Sequence, residues 1–244
     1  MVAIEEPLDK ATASVAEIAL HFPHAIEILN KYNLDYCCTG KKRFEDVCNT
    51  RNLDSDQIWS ELLKTNATPG FDKRIRFETW DLSLLIDFIL QNHHRYVRES
   101  IPEIRELLDK VCNVHGHEEP ALHKIREDFI NLANELWAHM PKEEEILFPA
   151  IDKLIQQKNG FIKGPNYLTN LDAPILAMEH EHESAGDLLK SIRSLTNNYT
   201  PPTFACPTYQ ITYKMLQEFD NDLMQHIHLE NNILFPKAQL LTIK

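Results

Sequence analysis

The chain has 244 residues, of which 43% are hydrophobic and only 6 are glycine, and it carries a formal net charge of -12. That length buries a full core as one domain, or as one domain with a small appendage, and the scarcity of glycine and of alternating β-branched runs argues against a large sheet. The acidic balance disfavours nucleic acid or an anionic membrane surface as the main partner.

The start, Met1 to Lys10, is acidic and contains Pro7, so it lacks the basic and apolar regions of a signal peptide. No apolar run reaches the roughly 18 residues of a membrane span; Leu82 to Leu90 is already broken by Asp87. The five cysteines, Cys37, Cys38, Cys48, Cys112 and Cys206, form no even secreted framework. A reducing cytoplasm is expected.

Residues 1 to about 70 read as a small helical unit, with short helices at about 14 to 21, 24 to 32, 43 to 50 and 55 to 65. Ser14 and Ser55 are the expected N-caps and Pro23 a break. The chemical feature of this unit is Tyr36-Cys37-Cys38-Thr39-Gly40. Neighbouring residues hold their Cα atoms about 3.8 Å apart, below the usual span of a disulfide, so two exposed thiols are expected, redox-active or touching a metal. Lys41, Lys42 and Arg43 follow at once, and nearby cations lower a thiol pKa. Two ordinary small buried residues are the competing possibility.

Asn66 to Gly70 is a turn cluster, and a boundary near residues 66 to 78 gives units 1–72 and 73–244. Four long amphipathic segments then follow, at about 82 to 112, 120 to 158, 172 to 198 and 207 to 240, with short connections. They predict an all-α, up-and-down four-helix bundle preceded by the small helical unit.

One stretch of the bundle is written twice. His139-x3-Glu143-x2-Ile146-Leu147-Phe148-Pro149 and His226-x3-Glu230-x2-Ile233-Leu234-Phe235-Pro236 share a frame. A His and a Glu four apart lie on one helix face, about 6 Å along the axis, so both reach one inward point. A lone pair of this kind is usually a solvated or ion-paired one. Here each copy sits in an apolar track: Phe129, Leu132, Leu136, His139, Glu143, Ile146 and Ala150 in the first, and Leu216, Phe219, Leu223, His226, Glu230 and Ile233 in the second. Burying these polar groups without a partner is costly, which favours metal ligation.

The remaining ligands belong on the first and third helices. On the third, His182 shares the apolar face of Ile175, Met178, Ala185 and Leu189, whereas His180 faces Glu183 and Asp187. On the first, both His93 and His94 have apolar company, and the nearly equal hairpin spacing, 139 - 94 = 45 and 226 - 182 = 44 residues, favours His94. His228 falls off the second track, at the surface or just outside the ligands. Nitrogen and oxygen ligands without thiolate suit iron, manganese or zinc, and six are too many for one structural zinc. Two ions bridged by the glutamates, about 3.5 to 4 Å apart, use them all, and iron is the best single choice. Pro141, between His139 and Glu143, predicts a bent helix there.

Together Tyr36-Cys37-Cys38-x-Gly40, Lys142-Glu143-Glu144-x-Ile146-Leu147-Phe148-Pro149, Glu181-His182-Glu183-x-Ala185-Gly186 and Leu229-Glu230-Asn231-Asn232-x-Leu234-Phe235-Pro236 resemble the iron-sulfur cluster repair di-iron proteins, the RIC family of ScdA/YtfE type. The resemblance covers nearly the whole chain. It implies a hemerythrin-like bundle with two non-haem irons, an oxo bridge among the options, and repair of iron-sulfur proteins whose clusters nitric oxide or oxidation has damaged. A cytoplasmic homodimer is implied as well. Residue by residue it implies His94, His139, Glu143, His182, His226 and Glu230 as metal ligands, with Glu143 and Glu230 as bridges and His94 preferred over His93. It also gives Cys37 and Cys38 as functional thiols and Glu135 and Glu181 as acidic residues on a path to the metals. Hemerythrin proper has a further inner His one turn before the His182 position; Met178 stands there, against an oxygen carrier. Iron donation is the expected mechanism; the alternatives are a nitric oxide reductase or peroxidase at the two irons, or a gas or redox sensor.

Overall fold

The computed structural model describes residues 8–22, 25–38, 40–66, 76–162 and 171–242. The chain divides into two compact units, Met1–Trp80 and Asp81–Lys244. Pro23, and the turn cluster from residue 67 to residue 70, lie outside the described residues.

The first unit holds α1 (Val15–His21), α2 (Ala25–Lys31), α3 (Phe44–Thr50) and α4 (Ser55–Asn66), each close to its expected span. Ser14 caps α1 with a reciprocal pair: Glu17 N–H donates to Ser14 Oγ at 3.2 Å, and Ser14 N–H donates to Glu17 Oε2 at 2.8 Å. For α4 the cap is Asp54 rather than Ser55, because Asp54 Oδ1 accepts from the backbone N–H groups of Asp56 and Gln57, both at 3.0 Å. A carboxylate one residue earlier reaches the free amides of the first turn better than the hydroxyl already inside it. Ile18, Leu29, Leu34, Phe44, Ile58 and Leu62 form a buried centre, with Trp59 against Phe22 and Phe44.

The second unit is built of four rods. α5 (Leu82–Phe88), a π turn over Ile89–His94 and α6 (Arg95–His115) make the first; α7 (Ala121–Lys142), a π turn over Glu143–Leu147 and α8 (Phe148–Lys158) make the second. α9 (Asp172–Leu195) is the third, and α10 (Pro207–Leu229), a π turn over Glu230–Leu234 and α11 (Phe235–Gln239) the fourth. α6 packs on α7 and α10, and α9 packs on the same two, so the rods close into a ring around one core. Val97, Ile101, Ile104, Phe129, Leu132, Leu189, Leu216 and Phe219 fill it. Among the described residues no helix is long and apolar enough to cross a membrane.

The π turns were not expected and correct the helix phase. Pro149 and Pro236 lack the N–H that a regular α-turn requires, and just before each the chain widens: Phe148 N–H reaches back to Glu143 O, and Phe235 N–H to Glu230 O. The extra residue per turn moves Ile146 out of the apolar track, to 64% exposure, and brings Leu147 into it. Pro141 lies inside α7 without ending it. His228 is buried, so of its two expected places, at the surface or just outside the ligands, the surface is ruled out.

Away from these turns, Arg193 of α9 donates to both oxygens of Asp220 on α10, at 2.8 and 2.6 Å, and Tyr199 Oη donates to the same carboxylate at 2.6 Å. The left-handed turn of Asn197, Asn198 and Tyr199, with φ of 48°, 55° and 58°, delivers that tyrosine. Removing one partner of a buried ion pair leaves the other charge uncompensated. Asp220→Ala is therefore expected to lower the unfolding free energy by about 3 to 5 kcal/mol, seen as a lower midpoint in denaturant titration, whereas Lys190→Ala on α9 changes it little.

Candidate metal centre

Six side chains from four rods converge in the bundle. Glu143 and Glu230 are fully buried at its middle, and His94, His139, His182 and His226 surround them. His94, His226, Glu143 and Glu230 form one group able to hold an ion, and His139, His182, Glu143 and Glu230 a second, so both glutamates belong to both groups. Each imidazole pair comes from adjacent rods that are not the two strokes of one predicted hairpin. His94 Nε2 is 3.2 Å from His226 Nε2, and His182 Nε2 is 3.1 Å from His139 Nε2.

The carboxylates reach the two pairs differently. Glu143 presents one oxygen, Oε2, to both His94 Nε2 at 3.3 Å and His139 Nε2 at 3.2 Å. Glu230 spreads its two, Oε1 at 3.1 Å from His226 Nε2 and Oε2 at 3.3 Å from His182 Nε2. These edges suit neighbouring positions around a cation with bonds of about 2.1 Å, for which a right-angled pair of ligands is about 3.0 Å apart. None of the four carboxylate oxygens has a well-formed hydrogen bond among the described residues, and imidazole Nε2 atoms face three of them. Two acids buried in this way, with ring lone pairs converging between them, fit a pair of cations.

The outward ring nitrogens are fixed in a duplicated pattern. Glu144, one residue after the first glutamate, meets His94 Nδ1 at 2.6 Å; Asn231, one residue after the second, meets His182 Nδ1 at 2.8 Å. Glu181, just before His182, meets His139 Nδ1 at 2.8 Å. His93, just before His94, holds the matching place beside His226, but stacks on it, with rings 5.4 Å apart and 4° from parallel. Asp222 Oδ1 contacts His93 Nδ1 at 2.9 Å. Arg98 donates to both oxygens of Glu144 at 2.8 Å, and Lys142 donates to Glu181. Each group of ligands thus contains one imidazole backed by a carboxylate; of the other two, His182 is backed by the Asn231 amide, while His226 Nδ1 has no well-formed hydrogen bond among the described residues and its ring stacks on His93. A carboxylate behind an imidazole orients the ring and strengthens it as a donor.

Burial and the facing charges act against each other at the site. Burial opposes a charged ring at His139, but Glu143, Glu230 and Glu181 outweigh it and raise its pKa to about 9. His94 is raised in the same way, against its burial, by Glu143, Glu230 and Glu144. Burial wins at His226, which is pushed down. Burial would push both glutamates up, yet the facing imidazoles hold Glu143 below the usual carboxylate range and Glu230 well below it.

Of the other expected residues, His180 is exposed, as its face indicated. Glu181 is pinned between His139 and Lys142 at the edge of the site. Glu135 is not brought to the cluster; it is exposed on α7, beside a groove it lines with Ser184 and Asp187. Cys37 and Cys38 belong to the first unit, and Cys37 is buried, not exposed. Burial, the adjacent Cys38 thiol and Asp35 push the Cys37 thiol well above its ordinary pKa, which reverses the effect expected of Lys41 to Arg43. Glu144, Asn231 and His93 were missed as partners of the ligands, although each stands beside a predicted ligand in the repeated frame.

Residues 85–238 match the family of the hemerythrin HHE cation binding domain, and residues 11–66 match ScdA_N, a domain of unknown function (DUF542). The chain is 36% identical to a protein of Musicola paradisiaca over 92% of its own length and 95% of the relative's. It is 38% identical to one of Edwardsiella ictaluri, over 92% and 95%, and 36% identical to one of Yersinia pseudotuberculosis, over 95% and 98%. All three are named iron-sulfur cluster repair protein YtfE.

Two outcomes follow from this geometry. Glu144→Ala leaves His94 without its carboxylate and is expected to weaken ferrous iron retention about 10- to 100-fold, measured by competition with a chromogenic chelator. Because metal must displace the proton that Glu143, Glu230 and Glu181 help to hold on His139, loading near neutral pH releases protons, and affinity rises with pH until it has passed about 9, above which His139 is largely deprotonated; a pH-stat titration reads both.

Proposed function

We propose a function from the premise that this chain belongs to the iron-sulfur cluster repair family, a hemerythrin HHE cation-binding bundle joined to an ScdA_N domain. It restores iron-sulfur clusters damaged by nitrosative or oxidative stress, and it does so by supplying iron carried as cargo in the bundle. The observation that carries this is the sharing of Glu143 and Glu230 by two imidazole pairs, which gives a store for two ferrous or ferric ions. Iron suits these nitrogen and oxygen donors, and two buried carboxylates offset part of its charge.

The protein's own groups account for release as well as storage. Glu143 contacts both imidazole pairs through one oxygen, so a small rotation weights it toward one pair and weakens the other's hold. Glu230 spans both pairs with two oxygens and keeps the frame. Glu181, about one-third exposed and shared by His139 and Lys142, is the acidic step at the rim, and Glu135 offers a second carboxylate on the surface of α7. Cys37 and Cys38 receive iron or pass it to the client. The clients are iron-sulfur proteins with damaged clusters, the compartment is the cytoplasm, and the assembly is a homodimer. Nitric oxide enters as the damaging agent.

Protein loaded with isotopically labelled iron, mixed with a cluster enzyme inactivated by nitric oxide, is expected to transfer label into the rebuilt cluster as activity returns. Cys37→Ser/Cys38→Ser should keep its iron and lose most of the restoration. Label that stays in the bundle while nitric oxide is reduced over many turnovers would replace donation with catalysis at the metals.

A further inference from the structure

The loop between α2 and α3, in the first unit, places three ligand-type groups around one point. Asp35 is a largely buried carboxylate whose Oδ1 accepts from the backbone N–H of Cys37 at 3.2 Å and of Cys38 at 2.9 Å. Cys37 Sγ lies 3.4 Å from that oxygen and 3.3 Å from Cys38 Sγ. One carboxylate oxygen and the two sulfurs all fall within 4.8 Å of one another.

The loop is held in this shape by its surroundings. Ala16 N–H donates to Gly40 O at 2.9 Å and Val15 N–H to Lys42 O at 3.1 Å, which fasten the loop to the start of α1. A Cβ at Gly40 would fall 2.3 Å from the Tyr36 carbonyl oxygen and 2.9 Å from Ala16 Cβ, so only glycine closes the turn this tightly. Tyr36 is fully buried, while Cys38 is half-buried and gives a way in.

We propose that Asp35, Cys37 and Cys38 form a separate binding site for one borderline divalent cation of the ferrous type. The donor set is mixed, two sulfurs and a carboxylate, unlike the imidazole and carboxylate set of the bundle, and such a set suits ferrous iron, zinc or cobalt. With metal–sulfur bonds of about 2.3 Å, two sulfurs on a tetrahedral ion are about 3.8 Å apart. The two sulfurs stand 3.3 Å apart, so a small rotation of the half-buried Cys38 side chain opens them to that span. A carboxylate packed against two sulfurs away from water also needs a cation before all three can be anionic. Three protein ligands leave room for an outside ligand, such as a client thiolate. A role as receiving post for iron rests on the function proposed above; the site itself does not.

Cobalt(II) is the probe, because sulfur-to-cobalt charge-transfer absorption reports thiolate ligation alone and is silent for the bundle. In the full chain carrying Cys206→Ser, anaerobic titration is expected to raise this band to saturation at one thiolate-bound cobalt per chain, and ferrous iron should compete it away. Cys37→Ser and Cys38→Ser each remove the band. Asp35→Asn keeps the oxygen that accepts the two amide hydrogens, so the turn survives, and it should weaken cobalt binding at least about tenfold. No charge-transfer band at cobalt concentrations that fill the bundle overturns the proposal, and so does a band unchanged in strength and affinity in Asp35→Asn. Either result leaves transfer of labelled iron from the bundle standing or falling on its own measurement.

Discussion

Two carboxylates with no access to water, facing four imidazoles, are the constraint on which the bundle depends. Acids buried this deeply are unfavourable without a compensating positive charge. Here the glutamates raise the pKa of both His94 and His139 against their burial, so the facing imidazoles supply part of that charge, and bound cations supply it in full. The rest of the second unit serves this centre: apolar faces of α6, α7, α9 and α10 exclude water, and the π turns let ligands enter from three of the four rods. Glu144, Asn231, Glu181 and His93 then hold the rings at the angles the centre requires.

Much of this was legible in the sequence because two signals of different period coincided. The spacing of four between His and Glu, written twice inside apolar tracks, places both glutamates and two imidazoles at the core. Face analysis placed His182 inward and His180 outward, as the bundle has them. On the first rod the face did not decide between His93 and His94, and the structure explains why. Both lie in a π turn, whose wider circuit points two consecutive residues inward, so both rings are buried and only His94 joins the ligands.

The parts that were not legible share that cause. A period of 3.6 carried past Glu143 puts Ile146 in the core, but the turn ahead of Pro149 adds a residue, and Leu147 takes its place. The pairing of imidazoles could not be read from hairpin spacing, because closure of the ring brings the first rod beside the fourth. At the cysteine pair, the charges of Lys41 to Arg43 suggested activated thiols, while the loop's depth and the Asp35 carboxylate impose the opposite on Cys37. Sequence neighbours gave the wrong sign because burial outweighs them.

The sharing of Glu143 and Glu230 between two cations is the claim that everything else in the bundle serves. Iron analysis combined with low-temperature Mössbauer spectroscopy of the anaerobically loaded protein tests it most directly. Two irons per chain, magnetically coupled through the bridges, are predicted. A single iron per chain, or two that behave as isolated ions, would contradict it.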